Sequence, residues 1–230
     1  MPVKIDNEEY DVTVFDLDGT IYPLSGLNKT IFFLMNFSNL SLFNAHTKAF
    51  SQLRGKDYGS SESFYDALFS KISNNTGKEK EVVREWYLNT FYKKFESFLK
   101  KHCRVRENFT ELLLFLRSSG VKTAILSDYG KIEERLEALG VDKNLFDVIF
   151  SGEKYGALKP EPRTLSLIID FFGTISERVI MIGDRKDTDG MCAEICKTGF
   201  YHIDGPVSWD DLCYELMGEK IFKNTKASGV

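Results

Sequence analysis

The sequence predicts an α/β fold: a parallel sheet with helices on both faces and an inserted all-helical block. Three observations lead there. Short β-branched runs stop at polar turns, strands and helices alternate through the second half of the chain, and one long block of purely helical periodicity interrupts that alternation near its start.

Taken in order, Val12-Thr13-Val14-Phe15 is an apolar run ending at Asp16, with the turn residues Asp18-Gly19-Thr20 directly behind it, and it reads as a buried strand. Over 27–101 the apolar residues fall at helical spacing, best seen in Val82, Val83, Trp86, Tyr87, Phe91, Phe95, Phe98 and Leu99. Thr76-Gly77-Lys78-Glu79 reads as a capping box in front of them. Phe109, Leu112, Leu113 and Leu116 then mark a helix, 121–126 a strand, and Ile132, Leu136 and Leu139 a helix closed by Gly140. The alternation continues with a strand at 148–150, a helix carrying Leu165, Ile168, Ile169 and Phe172, a strand at 179–182, a helix at 191–195 and a strand at 200–203. Strict alternation implies crossover connections and a parallel sheet covered on both faces.

The helical block stands between the first strand and its crossover helix, so it is an insertion and should project from the carboxyl edge of the sheet. The expected division is a core of 1–24 and 102–217, a cap of 25–101, and a tail at 218–230 in which apolar periodicity is lost. Most aromatic residues of the cap, among them Phe32, Phe33, Phe37, Trp86, Tyr87, Phe91 and Phe95, are expected to pack helix against helix.

Composition narrows the function. With 230 residues, 43% hydrophobic and 28% charged, the chain can bury a sizeable core without staples. A net charge of −4 leaves no basic footprint for a nucleic acid polymer. Cys103, Cys192, Cys196 and Cys213 form no Cys-x-x-Cys pair, and no secretory leader precedes Lys4 and Asp6, so a reduced, cytoplasmic protein is expected. The richest apolar stretch, 31–35, is too short to span a bilayer, and no obligate protein partner is inferred.

In an open parallel sheet, ligands bind outside the carboxyl ends of the strands. Those ends are polar here: Asp16-Leu17-Asp18-Gly19-Thr20, then Ser127-Asp128, then Lys159-Pro160-Glu161-Pro162, then Gly183-Asp184-Arg185-Lys186-Asp187-Thr188-Asp189. Carboxylates converging on one edge repel each other unless a cation sits among them, and a hard divalent ion such as Mg²⁺ takes oxygen ligands while leaving room for phosphate oxygens. Lys159 as a point charge and Ser127 as a donor suit a phosphate. Asp16 suits a nucleophile, Asp18 an acid/base, and Gly19 and Thr20 a backbone turn close to the phosphate. Asp128 is expected mainly as an N-cap for the helix beginning near Lys131, with contact to the substrate as the alternative. In the loop Arg54-Gly55-Lys56-Asp57-Tyr58-Gly59, Arg54 and Lys56 are candidates to contact the substrate.

DLDGT at 16–20, the strand-end Ser127, Lys159 in LKPEP, and GDRKDTD at 183–189 together resemble the four ordered motifs of the haloacid dehalogenase superfamily of hydrolases. The resemblance implies a Rossmann-like core with an inserted all-helical cap domain, and Mg²⁺-dependent phosphoryl transfer. In its terms Asp16 is the nucleophile, Asp18 the acid/base, and the metal lies on Asp16, the Asp18 backbone carbonyl and Asp184, with Asp189 favoured over Asp187 in support. Members acting on carbon–halogen bonds lack the second Asp of the first motif, so Asp18 points away from a dehalogenase to a phosphatase or phosphomutase, and the expected activity is a phosphatase of a small phosphorylated metabolite. The stretch DLDGTIYPLSG is also similar to the start of pyrimidine 5′-nucleotidase-like members. The alternatives are a phosphomutase of the β-phosphoglucomutase type and a non-catalytic phosphometabolite-binding protein.

Overall fold

The computed structural model describes residues 2–5 and 8–218; all of the expected tail except Gly218 lies outside the described residues. The chain opens with an antiparallel pair, β1 (Val3–Ile5) and β2 (Glu8–Tyr10). Runs of three are too short to show a period, and only the inward Val3 and Ile5 about an outward Lys4 mark the first of them. The next strand, β3 (Val12–Phe15), is buried along its whole length. It is followed by β4 (Lys122–Ser127), β5 (Val148–Ser151), β6 (Val179–Gly183) and β7 (Gly199–His202). These five form one sheet in the order β5-β4-β3-β6-β7, every neighbouring pair parallel, with β3 at the centre.

Between β3 and β4 the chain passes through α1 (Gly26–Met35), α2 (Leu40–Leu53), α3 (Ser61–Thr76), α4 (Lys80–Glu85) and α5 (Tyr92–His102). Ser25 and Ser60 start α1 and α3 by accepting the N–H of Asn28 and Ser63, each at 3.1 Å. A wide π-type turn over Trp86–Phe91 joins α4 to α5 and turns Trp86, Tyr87 and Phe91 inward together. The capping box expected at 76–79 does not form. The apolar face of α3 (Phe64, Leu68, Phe69, Ile72) carries that helix through Thr76, whose hydroxyl donates to the Ile72 carbonyl at 2.8 Å. Gly77 then terminates it at φ 67° in the left-handed region. Phe32, Trp86, Tyr87, Phe91 and Phe95 do pack among one another, whereas Phe33 and Phe37 are 39% and 66% exposed.

The remaining helices are α6 (Phe109–Ser118), α7 (Ile132–Leu139), α8 (Gly152–Tyr155), α9 (Arg163–Phe172), α10 (Met191–Cys196) and α11 (Pro206–Met217). Strand alternation sorts the core into two layers. Val12, Val14, Ala124, Leu126, Val179 and Met181 pack with Leu165, Ile168 and Cys192 from α9 and α10. Phe15, Ile125, Ile180 and Ile182 point the other way, into a layer shared with Phe109, Leu112 and Leu116 of α6 and Trp209 and Leu212 of α11. Each fully buried side chain of this size contributes about 1.5–3 kcal/mol, and the two layers fix the sheet's carboxyl edge as a rigid rim. Among the described residues, no helix is long and apolar enough to cross a membrane.

Candidate active site

The rim is built by strand ends. β3 runs straight into Asp16, whose backbone N–H donates to the Ile182 carbonyl of β6 at 2.9 Å and so continues the ladder. This fixes the Asp16 carboxylate at the centre of the edge. Its Oδ1 accepts from Lys159 Nζ at 2.6 Å and its Oδ2 from the Thr20 hydroxyl at 3.0 Å. Lys159 also lies 2.6 Å from Asp189 Oδ1 and donates to the Leu126 carbonyl at 3.2 Å. The Lys159–Pro160 peptide is cis.

Asp16, Asp184 and Asp189 each offer a carboxylate oxygen within 4.8 Å of the other two. Burial pushes Asp16 well above the ordinary carboxylate range, with the charges of Asp189, Asp18 and Asp184 adding to it against the pull of Lys159. Asp184 is pushed up to about 6, by burial first and Asp189 next. Burial works against the Lys159 ammonium too, but Asp16, Asp189 and Asp128 override it and hold the charge firmly in place. Several acids thus share one lysine, and Asp184 Oδ1 is buried with no hydrogen-bond partner. All the donors are hard oxygens, and an unmatched buried carboxylate oxygen among them is what a divalent cation such as Mg²⁺ fits.

Two glycines give this cluster its tightness. Gly19 sits at φ 98°, and a Cβ there would meet Asp184 Oδ2 at 2.1 Å; a Cβ at Gly183 would meet Asp189 Oδ2 at 2.4 Å. The Gly19 and Thr20 carbonyls are held by Arg106, at 3.1 Å from Nη2 and 2.7 Å from Nε. A cavity of about 230 Å³ opens over the rim, lined by Asp16, Asp18, Leu24, Asp128, Lys159, Asp184 and Asp189 from the core and by Lys29 and Arg54 from the helical side. Gly19, Thr20, Ser127 and Lys56 are not among its lining residues. A wider groove of about 1010 Å³ along α7 holds mixed charges and none of the candidate site residues.

Asp18 stands apart from the three clustered acids. Its Oδ1 accepts from the Tyr22 hydroxyl and pairs with Arg135 Nη2, and its Oδ2 accepts from Ser127 Oγ at 3.1 Å. Ser127 therefore serves Asp18. Asp128 does not cap α7: that helix begins at Ile132 behind Lys131 at φ 48°, with no side-chain cap. The turn between strand and helix is too long for Asp128 to reach the first free N–H groups. Instead its Oδ1 accepts the Lys159 backbone N–H at 2.9 Å, and its Oδ2 faces Arg54 Nε at 3.7 Å. Asp189 is buried beside Lys159, while Asp187 is exposed and paired with Arg185. Lys56 is exposed, though Gly55 beside it donates to the Leu158 carbonyl at 3.1 Å and brings Arg54 to the rim.

Several residues here went unread in the sequence. Arg135 could have been found, since it falls on the buried helical face with Ile132 and Leu136, where a lone arginine needs a buried anion. Tyr22 follows the first motif and had no signal of its own. Glu153 is fully buried and accepts from the hydroxyls of Tyr65 and Tyr92 at 2.7 Å each and from that of Tyr87, tying three helical-insertion tyrosines to α8.

A strand-end carboxylate, a lysine between acids and an acid cluster thus share one edge of a parallel α/β sheet. Residues 13–201 match the family of haloacid dehalogenase-like hydrolases, and the chain belongs to that family. It is 28% identical over 109 residues to a phosphoglycolate phosphatase of Colwellia psychrerythraea, covering 46% of this chain and 48% of that one. The chain spans about half the length of the curated relatives it matches. Among solved structures, a predicted phosphoglycolate phosphatase from Haemophilus somnus superposes with a TM-score of 0.57 at 18% identity, over 84% of both chains. The L-2-haloacid dehalogenase of Xanthobacter autotrophicus gives 0.57 at 14% identity, over 84% of this chain and 77% of that one. At these identities the two structures share the fold.

Proposed function

We propose that this protein is a Mg²⁺-dependent phosphatase of small phosphate monoesters, working through an aspartyl-phosphate on Asp16. The single observation that carries the reading is Lys159 lying 2.6 Å from both Asp16 Oδ1 and Asp189 Oδ1, at a rim where Asp184 Oδ1 has no partner. A strand end that presents a carboxylate, a fixed cation and an oxygen-only metal pocket in one place matches what in-line transfer of a phosphoryl group asks for. The names of the matched curated relatives, phosphoglycolate phosphatase among them, support the class of substrate.

Residues would divide the work as follows. Asp16, Asp184 and Asp189 hold the divalent cation together with the Asp18 backbone carbonyl, and when bound the cation supplies positive charge that lets a carboxylate approach a phosphate. An Asp16 oxygen forms a bond to phosphorus as the ester oxygen leaves, and Asp18 gives that leaving oxygen its proton. Asp18 then takes a proton from water, whose oxygen attacks phosphorus; the bond to Asp16 breaks and inorganic phosphate departs. Lys159 pairs with the phosphate oxygens, Asp128 holds the Lys159 segment, and Arg54 meets the substrate from the helical side. We read residues 25–101 as the cap and 1–24 with 102–217 as the core, closure of the first over the second excluding water and selecting the leaving group.

The test is phosphate release by the purified chain from sugar phosphates, nucleoside monophosphates, phosphoglycolate, glycerol 2-phosphate and 4-nitrophenyl phosphate, with Mg²⁺ and with chelator, beside Asp16→Asn. Mg²⁺-dependent release that vanishes in the variant is the expected result. Turnover that survives Asp16→Asn, or a folded protein silent on every ester, would overturn the reading.

A further inference from the structure

Arg135 is the largest fully buried side chain of the described residues. Removing a guanidinium from water costs several kcal/mol, and an apolar side chain of similar volume usually fills such a place as well or better. Its charge therefore has to do something that packing does not.

The fork of the guanidinium grips one carboxylate by two routes. Nη2 pairs with Asp18 Oδ1 directly, and Nη1 donates to Ser127 Oγ at 3.1 Å, which in turn donates to Asp18 Oδ2 at 3.1 Å. Two weaker contacts at 3.5 Å, from Nη1 to the carbonyls of Tyr129 and Gly130, fix the fork against the loop after β4. Both Asp18 oxygens are thus oriented by one planar group, a geometry that lysine cannot reproduce. On its other side the guanidinium lies 4.6 Å from the Phe95 ring and 5.8 Å from that of Tyr129. Phe95 belongs to α5 of the helical insertion, while Asp18, Ser127 and Arg135 belong to the sheet and its flank.

We propose that Arg135 is a positioning residue: it orients the Asp18 carboxylate, directly and through Ser127, and by stacking on Phe95 makes that orientation depend on where the helical insertion sits. This rests on the role given to Asp18 above. A displacement of α5 takes the ring off the guanidinium and loosens the grip on Asp18, so the acid/base is in register only when the insertion is seated.

The experiment compares Arg135→Ala, Arg135→Lys, Asp18→Asn and the double variant Asp18→Asn/Arg135→Ala as full chains with Mg²⁺. Two substrates are used: 4-nitrophenyl phosphate, whose leaving group needs no proton, and the best alkyl phosphate of the panel, whose leaving group does. Hydrolysis of the phosphoenzyme uses Asp18 for both esters, so the comparison is read in the burst of leaving group: Arg135→Ala is expected to slow that first step about 100-fold on the alkyl ester with KM little changed, and to affect it far less on the aryl ester. Added guanidinium ion should restore part of the loss, and on the aryl ester the double variant should be no slower than Asp18→Asn alone. Equal losses on both esters, or a double variant slower than Asp18→Asn by the full single-variant factor, would show a merely structural arginine and overturn the proposal. Should Arg135→Ala lose its cooperative thermal transition, Arg135→Lys carries the same comparison between esters, and equal losses there overturn it too. If Asp18→Asn leaves alkyl turnover intact, the reading of Asp18 fails and this proposal falls with it; if Asp18→Asn is impaired and Arg135→Ala is not, only the arginine's role fails.

Discussion

Substituting Gly19 by alanine probes the acid cluster without removing any of its members. The backbone at Gly19 has φ 98°, a region that costs a side-chain-bearing residue about 1–3 kcal/mol. The new Cβ would also lie 2.1 Å from Asp184 Oδ2 and 2.6 Å from its Cγ. Restoring even a 3.0 Å contact makes the carboxylate retreat by about 0.9 Å, several times the roughly 0.2 Å within which metal–ligand distances are held. For a chain of this size 1 kcal/mol moves Tm by about 2–4 °C, so strain alone should lower Tm by about 2–12 °C. A catalytic group misplaced by about 1 Å costs about 100-fold in turnover. Gly19→Ala should therefore bind Mg²⁺ more weakly by calorimetry and release phosphate about 100-fold more slowly. Gly26→Ala is the control, because a Cβ there meets nothing within 4 Å. If Gly19→Ala matched the parent in both Mg²⁺ affinity and turnover, the placement of Asp184 as a metal-holding group would be refuted.

Other expectations follow from the same geometry. Burial raises Asp184 to about 6, so in the metal-free protein the native state binds this proton more tightly than the unfolded chain. The stability it contributes is present below the ordinary value of 3.8 and is lost as pH rises through about 6. Mg²⁺ acts oppositely, since only the carboxylate binds it, and its apparent affinity should be about tenfold lower at about pH 5 than at about pH 7.5; an affinity flat across that range would contradict this. Glu153→Gln leaves one amide N–H₂ facing phenol donors where two carboxylate oxygens now serve three tyrosines, and should cost about 1–3 kcal/mol in urea unfolding. A stability equal to the parent's would mean that the tyrosines re-pair freely. Arg54→Ala removes a charged group from the cavity wall and should raise KM about 10- to 100-fold, whereas Lys56→Ala should leave it nearly unchanged. The reverse order of effects would place the other cation at the substrate.

How much of this could be read from the sequence follows from which features are local. The strand ends were legible because an apolar run that stops at Asp16, at Ser127 or at Asp184 states both the element and what stands at its carboxyl edge. Neither β1 nor β2 was legible, since three residues carry no period. The capping box failed because Thr76 and Gly77 fit two local patterns, and the apolar face of α3 decided between them. Asp128 was misread as a cap for a similar reason: its partner, the Lys159 backbone, is 31 positions away and comes near only once β4 and β5 are paired.

The same reasoning explains why the motif residues were found and their support was not. Asp16 announces itself as an ionisable group directly at a strand end, and Lys159 and Asp189 as ionisable groups in the segments that follow β5 and β6, where burial is expected and a partner is demanded. Arg135, Tyr22 and Glu153 make their demands from inside helices and turns, and their partners come from other elements: Asp18 across 117 positions for the arginine, and Tyr65, Tyr87 and Tyr92 across 61 to 88 positions for the glutamate. A buried charge at a helical core position is itself the signal that a distant opposite charge or donor set exists, even when its identity waits on the fold. For this chain that signal is concentrated where the helical insertion meets the sheet. Glu153 takes its tyrosines from the insertion and Arg135 takes the Phe95 ring from there, so these two buried charged side chains beside the rim of the sheet are both completed by the insertion's seating. With the roles proposed for Asp18 and Arg135, an insertion held in this way would act on the chemistry through the orientation of Asp18 as well as through the walls of the cavity.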